Sequence, residues 1–293
     1  MTMKTSLKAV SSGFFFIGGV SGVLFLYRMI DKELATAINR GDWSFLFSFM
    51  LISVLVIGCF WIASKLSVKI NPKDAIKTYD KAIKKNPLDI AAWHNKGIAF
   101  AMLGKYDEAI NAYSKVIEIN PRDADAWYNK GAALNALGEY ENAIQCFEKA
   151  IGINPQFSEA WNDKGTSLHD IKRYEDAIMC FENAIELNPK FAWPWNNKGW
   201  ALANLGQYED AIKAYNKAIE LDPKPAGTWY NKGLALRQQG KYDEAIKCFN
   251  KAIEQNPSHS KAWYNKGEAL KALGKDSESD ASFAKATKLG YEG

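Results

Sequence analysis

The sequence predicts an all-α protein in which two membrane-spanning helices precede a solenoid of six helical repeats and one N-terminal half-repeat. Two apolar segments of bilayer length lie within the first 64 residues. After them, Trp recurs at an unbroken spacing of 34 residues, and Pro recurs at the same spacing at the end of each unit but the last. A fixed period of this length is typical of a helical repeat array. The chain therefore divides into a membrane part and a repeat part.

The two apolar segments cover residues 9–27 and 43–64 and are joined by residues 28–42. Each is long enough to cross a bilayer as a helix. Seven lysines lie between residues 65 and 85, and this excess after the second span favours a cytoplasmic repeat region. We therefore expect an integral protein of the plasma or cytoplasmic membrane, with residues 1–8 and the repeats in the cytoplasm and residues 28–42 outside.

A signal peptide is the alternative for the first apolar segment. A basic stretch precedes this segment, and Ala35, Thr36 and Ala37 form a small-residue cleavage site. That site lies about ten residues past the apolar run, which favours a retained span. Under either interpretation the second span directs its C-terminal end into the cytoplasm.

Gly18 and Gly22 form a GxxxG pair in the first span. Small residues at this spacing allow two membrane helices to approach closely. Two interpretations stay open, a homo-oligomer formed through this pair and packing of the first span against the second. Neither span contains Asp, Glu, Lys, Arg or His, which argues against a proton or ion pathway.

Each 34-residue unit carries the same marker residues in the same order. The unit Trp is followed four positions later by Gly, and then by Tyr, by Ala and by a closing Pro. The six Trp residues are Trp93, Trp127, Trp161, Trp195, Trp229 and Trp263. Apolar residues at helical spacing follow the Tyr, and Pro ends that second helix because it has no amide hydrogen and restricts the residue before it.

This pattern resembles the tetratricopeptide repeat over residues 90–290. The resemblance implies two antiparallel helices per repeat and a right-handed superhelix. On this basis the predicted divisions are residues 65–89 for a linker and half-repeat, then 90–123, 124–157, 158–191, 192–225, 226–259 and 260–293 for six repeats, the last with a C-terminal cap. Lys172 stands where the other units have a turn glycine, so we expect a local adjustment there.

The resemblance also implies a concave groove lined by the first helix of each repeat. In this family the groove positions lie one, two and five residues after the Trp and two residues before it. Carried over to this chain, the candidate partner-binding residues are His94, Asn95, Tyr128, Asn129, Asn162, Trp193, Asn196, Asn197, Trp200, Tyr230, Asn231, Tyr264 and Asn265. Aromatic rings beside amide side chains are suited to an extended peptide or a helix.

Two alternatives remain open within this groove. The asparagines that follow the Trp either bind a partner or bond to neighbouring backbone. Trp193 and Trp200 either form an aromatic hot spot or, for Trp193, pack beside Pro194. The other five repeats have no Trp at the position of Trp200, so a scaffold does not require one there. With Tyr230 on the next first helix, Trp200 is the leading candidate for an anchor.

Charge and cysteine spacing argue against several function classes. Residues 70–293 hold 30 Lys or Arg and 30 Asp or Glu without a basic block, which argues against nucleic-acid binding. Cys146, Cys180 and Cys248 recur at one repeat position, as small packing residues would in a reducing compartment.

No metal-ligand spacing is present, and we predict no metal and no cofactor. A lysine before each repeat glycine is expected to pack its stem along a neighbouring helix.

His94, His169 and His259 lie in different repeats, and no catalytic motif accompanies them. The sequence therefore predicts a binding protein and not an enzyme. Two functions remain, a membrane-tethered adaptor that binds a peptide or helix of a partner protein, and a structural assembly factor that acts through its spans and self-association.

Overall fold

The computed structural model of this chain describes residues 71–291. Within that range no helix is long and apolar enough to cross a membrane. The two predicted spans (residues 9–27 and 43–64), the loop 28–42 and the Gly18 and Gly22 pair lie outside the described residues.

Residues 71–291 form thirteen α-helices and no strands. In chain order they are α1 (Pro72–Lys85), α2 (Ile90–Met102), α3 (Tyr106–Ile119), α4 (Ala124–Ala136), α5 (Tyr140–Ile153), α6 (Ser158–Asp170), α7 (Tyr174–Leu187), α8 (Ala192–Asn204), α9 (Tyr208–Leu221), α10 (Ala226–Gln238), α11 (Tyr242–Gln255), α12 (Ser260–Ala272) and α13 (Asp276–Lys288). The even-numbered helices are the first helices of six repeats, and α1 is the second helix of the predicted half-repeat. The all-helical repeat fold is confirmed.

Each helix packs against the next, and each first helix also contacts the first helix of the following repeat. The first helices therefore lie side by side and form one face of the solenoid. We call this surface, formed by α2, α4, α6, α8, α10 and α12, the groove face.

A hydrogen bond from the repeat Trp closes the link between successive units. In five repeats the indole Nε1 donates to the carbonyl oxygen of the Pro six residues earlier, over 2.9 to 3.4 Å. The residue before each of these prolines is extended and ends the preceding helix, as Asn120 does after α3. The exception is Trp195, whose Nε1 is buried without a hydrogen-bond partner in the described part of the chain.

The two helices of each repeat approach closely at the glycine four residues after the Trp. A Cβ atom added at any of these six glycines would lie 2.6 to 2.8 Å from the aromatic ring of the second helix. Gly199 under the Tyr215 ring is one example, with 2.7 Å to Cε1. Since carbon atoms pack no closer than about 3.5 Å, only glycine fits at these positions.

The turn between paired helices needs a left-handed backbone. Five repeats place glycine there with φ between 71° and 81°. Lys172 occupies the equivalent position in the third repeat and has φ of 62°. Because a side chain in this conformation costs roughly 1–2 kcal/mol, the expected local adjustment is a strained copy of the same turn.

The predicted packing role of the cysteines is confirmed. Cys146, Cys180 and Cys248 are buried, and burial raises the pKa of the Cys180 thiol to about 11. Each repeat lysine places its ammonium 5.0 to 6.0 Å from the centroid of the repeat Trp ring. The ammonium groups therefore lie over the indoles of their own helices, whereas the sequence predicted stems packed along a neighbouring helix.

The last repeat ends the array with polar residues. Only Ser279, Ser282 and Ala286 are buried in α13. The Ser279 hydroxyl, at the position of the usual alanine, donates to the Gly267 carbonyl over 3.0 Å. Tyr291, where earlier units have Pro, lies with its ring 4.4 Å from that of Tyr264. The final unit thus keeps the helix pair but has a polar outer surface.

Candidate functional site

A ladder of side-chain hydrogen bonds joins neighbouring first helices across the groove face. The residue one position after the Trp in one unit bonds to the residue two positions after the Trp in the next. The four bonds are His94 to Asn129 at 3.0 Å, Tyr128 to Asp163 at 2.8 Å, Asn162 to Asn197 at 3.1 Å and Tyr230 to Asn265 at 3.2 Å. Many of the predicted groove side chains therefore hold successive repeats in register.

Three of the predicted partner-binding asparagines are buried. Asn162, Asn196 and Asn265 are exposed by only 6%, 9% and 7%. Their amides bond mainly to side chains, with one bond from Asn265 to the backbone carbonyl of Lys261. These three residues are structural in the free chain and present little surface to a partner. Asn95, at the first repeat, is exposed.

The tyrosines one position after the Trp are also packed. The Tyr128 ring lies 4.8 Å from Phe157 and 5.8 Å from Phe147. Tyr230 lies 4.7 Å from His259 and 6.0 Å from Phe249, and burial raises its pKa. Tyr264 lies between Phe283 and Tyr291 in the same way. Each tyrosine thus has one face in the core, and only the remainder of the ring belongs to the groove surface.

The fourth repeat differs from the others by its exposed indoles. Trp193 is 57% exposed and Trp200 is 41% exposed, whereas Pro194 between them is buried. The spacing from Trp193 to Trp200 is seven residues on α8, which places both rings on one side of the helix. The predicted aromatic patch is therefore present as an exposed surface, and packing beside Pro194 does not bury Trp193.

His169 supports this patch from the third repeat. Its ring centroid lies 3.6 Å from that of Trp200, and the amide of Asn204 donates to its Nε2 over 2.9 Å. Nδ1 lies 3.4 Å from Oδ1 of Asp170. Burial lowers the pKa of His169, which favours the neutral imidazole that this bonding requires. His169 was not among the predicted site residues, although it lies one helical turn beyond the groove position of Thr166.

A chain of hydrogen bonds runs from the second repeat to the fourth along the groove face. Asp163 lies at its start, where its Oδ2 accepts from the Tyr128 hydroxyl and its Oδ1 accepts from Asn162 at 2.9 Å. Asn162 then accepts from Asn197, and Asn197 accepts from Asn196 at 3.1 Å. At the far end, Oδ1 of Asn196 is buried and has no partner within the described residues.

The same position marks a gap in the ladder. In the other joined units, the residue two positions after the Trp of the next repeat bonds to the residue at this position, but no bond joins Asn196 to Asn231 in the described structure. The link between these repeats is also unusual, because Pro225 has no amide hydrogen to close the turn. The sequence alone does not reveal this unpaired oxygen, because its pairing depends on how the fourth and fifth repeats are oriented.

The described residues include no candidate metal site. Among residues 71–291, no group of three His, Cys, Asp or Glu side chains is arranged to hold a metal ion. The exposed indoles, the buried polar chain and nearby carboxylates are the features that bear on binding.

Family comparison agrees with the repeat pattern. A model described as a tetratricopeptide repeat matches residues 124–157, 158–191, 192–225 and 226–259. Two related models, described as a TPR repeat and a tetratricopeptide repeat, match residues 99–138, and 78–111 with 248–281. Together these matches cover residues 78–281, more than half of the chain. No curated protein has a matching sequence.

Solved structures with the same architecture include several bacterial repeat proteins. YrrB, described as a TPR protein with an unusual peptide-binding site, is 26% identical with a TM-score of 0.52, over 64% of this chain and 97% of that one. MamA from Desulfovibrio magneticus RS-1 is 26% identical with a TM-score of 0.53, over 58% and 96%. A protein from Parabacteroides merdae is 21% identical with a TM-score of 0.63, over 78% and 91%, and shows the fold alone.

Proposed function

Because this chain belongs to the tetratricopeptide-repeat family, we propose that it is a protein-interaction scaffold whose groove face holds a peptide segment of a partner protein. The repeats and their structural relatives support the scaffold role. The groove face supplies the surface, and its fourth repeat supplies the anchor, Trp193 and Trp200.

The observation that carries this proposal is the exposure of two indoles on one side of α8. Exposed Trp is unfavourable, because complete burial of a large apolar side chain contributes about 1.5–3 kcal/mol, and each of these rings gives up part of that. Neither ring is needed by the repeat fold, since the other units have different residues at both positions. Rigid aromatic rings bury much area at little cost in side-chain entropy and are common at binding hot spots.

The relative YrrB adds independent support. It is described as having an unusual peptide-binding site, and the match covers 64% of the present chain. Peptide binding is therefore compatible with this repeat architecture.

We further propose that the scaffold is tethered to a membrane by residues 9–27 and 43–64, with the repeats in the cytoplasm. The length and apolar composition of both segments support this proposal. Extraction of cell membranes with alkaline carbonate tests it. The full chain should stay in the membrane pellet, and its release into the supernatant would contradict the tether.

Photo-crosslinking in cells tests the binding face. Benzoylphenylalanine replaces Thr166, which holds the groove position of Trp200 in the neighbouring repeat, and in a matched variant it replaces Met179, an exposed residue of the second helix α7. We expect a discrete adduct from position 166 that Trp193→Ala removes, and none from position 179. Equal adducts from both positions, or adducts that Trp193→Ala leaves unchanged, would show that the partner does not use this face.

A further inference from the structure

We propose that the groove face of the third and fourth repeats recognises a basic peptide segment, and that an arginine side chain of that segment docks between Trp193 and Trp200. This inference rests on the proposed function, because it names the chemistry of the partner segment that the groove would hold. Three features of the site favour a cation with several N–H donors.

The first feature is the direction of the buried hydrogen-bond chain. A carboxylate only accepts hydrogen bonds, so Asn162 must turn its NH₂ group towards Asp163 and its Oδ1 towards Asn197. The same constraint passes through Asn197 to Asn196. The last atom of this hydrogen-bond series is therefore the Oδ1 of Asn196, and none of residues 71–291 donates a hydrogen bond to it.

The second feature is the position of that oxygen. Asn196 lies three residues after Trp193 and four before Trp200, so all three share one side of α8. A buried acceptor without a partner costs about 1–3 kcal/mol. An N–H donor of a ligand that reaches this oxygen from the side of α8 that carries the two indoles would remove this cost and cover both rings. Reaching it requires the side chains that bury the oxygen to move apart.

The third feature is charge. At the groove positions, the second repeat carries Asp125, and the third carries Glu159 and Asp163, with the exposed Asp170 at the end of α6. No Lys or Arg of residues 71–291 lies within ion-pair distance of these four carboxylates.

Basic residues appear only further along this face. In the second, third and fourth repeats, the groove positions hold no Lys or Arg, whereas the sixth has Lys261 two residues before its Trp. Arg237 of the fifth repeat already lies 3.8 Å from Glu268. Carboxylates without a basic partner are therefore concentrated on the second and third repeats, next to the fourth repeat with its exposed indoles, and complementary charge there favours a basic segment.

Arginine fits these features better than lysine. Its planar guanidinium stacks on an indole face while its N–H groups donate in the plane. The chain already uses a related contact, since each repeat lysine lies over its own repeat Trp. Neither Trp193 nor Trp200 is covered by a Lys or Arg among the described residues.

An array of dodecapeptides tests the proposal. Each peptide is printed in three forms, with arginine, citrulline or glutamate at its centre, and is probed with the full-length chain in a non-ionic detergent. Citrulline keeps the shape of arginine but has no charge. We expect binding peptides to lose about tenfold or more in affinity with citrulline and to lose detectable binding with glutamate.

Variants of the protein test whether the preference for arginine arises from the carboxylates of the groove face. Glu159→Gln combined with Asp170→Asn should weaken the arginine peptides severalfold and reduce their salt dependence, while citrulline peptides change little. The matched control is Glu141→Gln combined with Glu186→Gln, two exposed residues of the second helices α5 and α7. The control should bind as the wild type does.

The outcomes separate the two proposals. If citrulline and arginine peptides bind equally and Trp193→Ala weakens both, the basic specificity is overturned and the peptide-binding groove stands. If no peptide binds and position 166 gives no adduct in cells, the proposed function fails as well. If the control variant weakens binding as much as the groove variant, the charge effect does not arise from the groove face.

Discussion

The imidazole of His169 lies against the indole of Trp200, with their ring centroids 3.6 Å apart, and the contact joins the third repeat to the fourth. The neutral imidazole is required, because Nε2 accepts a hydrogen bond from Asn204. A proton at Nε2 would turn this acceptor into a donor. The contact between His169 and Trp200, at the edge of the aromatic patch, therefore depends on pH.

The sign of this dependence follows from the lowered pKa of His169. The unfolded chain takes up the proton below about pH 6.5, whereas the folded chain resists it to lower pH. The contribution of His169 is therefore present above about pH 6.5 and is lost as the pH falls. We expect His169→Gln to reduce the fall in melting temperature between neutral and mildly acidic pH. Identical pH profiles for variant and wild type would contradict this assignment.

Gly199 and Gly152 should respond to alanine in opposite directions. A Cβ at Gly199 would lie 2.7 Å from the Tyr215 ring, so Gly199→Ala should destabilise the fold by about 1–3 kcal/mol. Gly152 lies in α5 with no atom within 4 Å of an added Cβ. Gly152→Ala should stabilise by about 0.5–1 kcal/mol. Urea unfolding measures both changes, and a stable Gly199→Ala variant would show that the helix pair adapts.

The strained turn at Lys172 offers a stabilising substitution. Glycine occupies the same left-handed conformation in the other repeats. Lys172→Gly should therefore raise the free energy of unfolding by about 1 kcal/mol, less the entropy that glycine gains in the unfolded chain. The reciprocal change, Gly206→Lys, should lower it. Equal unfolding midpoints for Lys172→Gly and the wild type would mean that the surrounding turn relieves the strain.

Binding and stability should separate at Trp193 and not at Tyr230. Trp193 is 57% exposed, so Trp193→Ala should weaken peptide binding by about 2 kcal/mol, roughly thirtyfold, with little change in melting temperature. Tyr230 is packed against Phe249 and His259, so Tyr230→Ala should lower the melting temperature. The sequence predicted Tyr230 only as a partner-binding groove residue, whereas the structure also packs its ring against the core. Tyr230→Phe, which loses only the Asn265 bond, is the control and should cost about 1 kcal/mol.

The proposed topology makes a labelling prediction. A single reactive cysteine placed at Met179, in a variant whose four native cysteines are replaced by alanine, should resist a membrane-impermeant maleimide in intact cells and react after lysis. Met179 is 62% exposed, so folding does not protect it. A second single cysteine, placed at Ala35 in the loop 28–42, should react in intact cells. Labelling at position 179 from outside would reverse the proposed orientation.

The repeat period predicted most of the fold because the markers are local. Trp, Gly and Pro act within one unit: the Gly199 contact with Tyr215 spans 16 residues, and the Trp93 bond to Pro87 spans six. Their spacing can be read directly from the chain. The exposure of Trp200 was also predictable, because it departs from its counterparts in the other repeats.

The groove could be predicted only in part, because its polar bonds cross between repeats. The position of Asn162 relative to Asn197 depends on the rotation of one repeat against the next, and no single unit encodes that rotation. The asparagines were therefore predicted as groove residues, whereas three are buried in the ladder. His169 was missed for the same reason, since its stacking partner lies in the following repeat.

The buried polar chain also makes Asp163 a remote determinant of specificity. Its charge fixes which way three successive amides point, and so decides whether the last atom in the series is oxygen or nitrogen. An uncharged amide at position 163 would remove that constraint and allow the whole series to reverse. A single substitution in the third repeat would then replace the buried oxygen in the fourth repeat by an NH₂ group. The groove face would favour acidic partners, although every exposed side chain of α8 stayed the same.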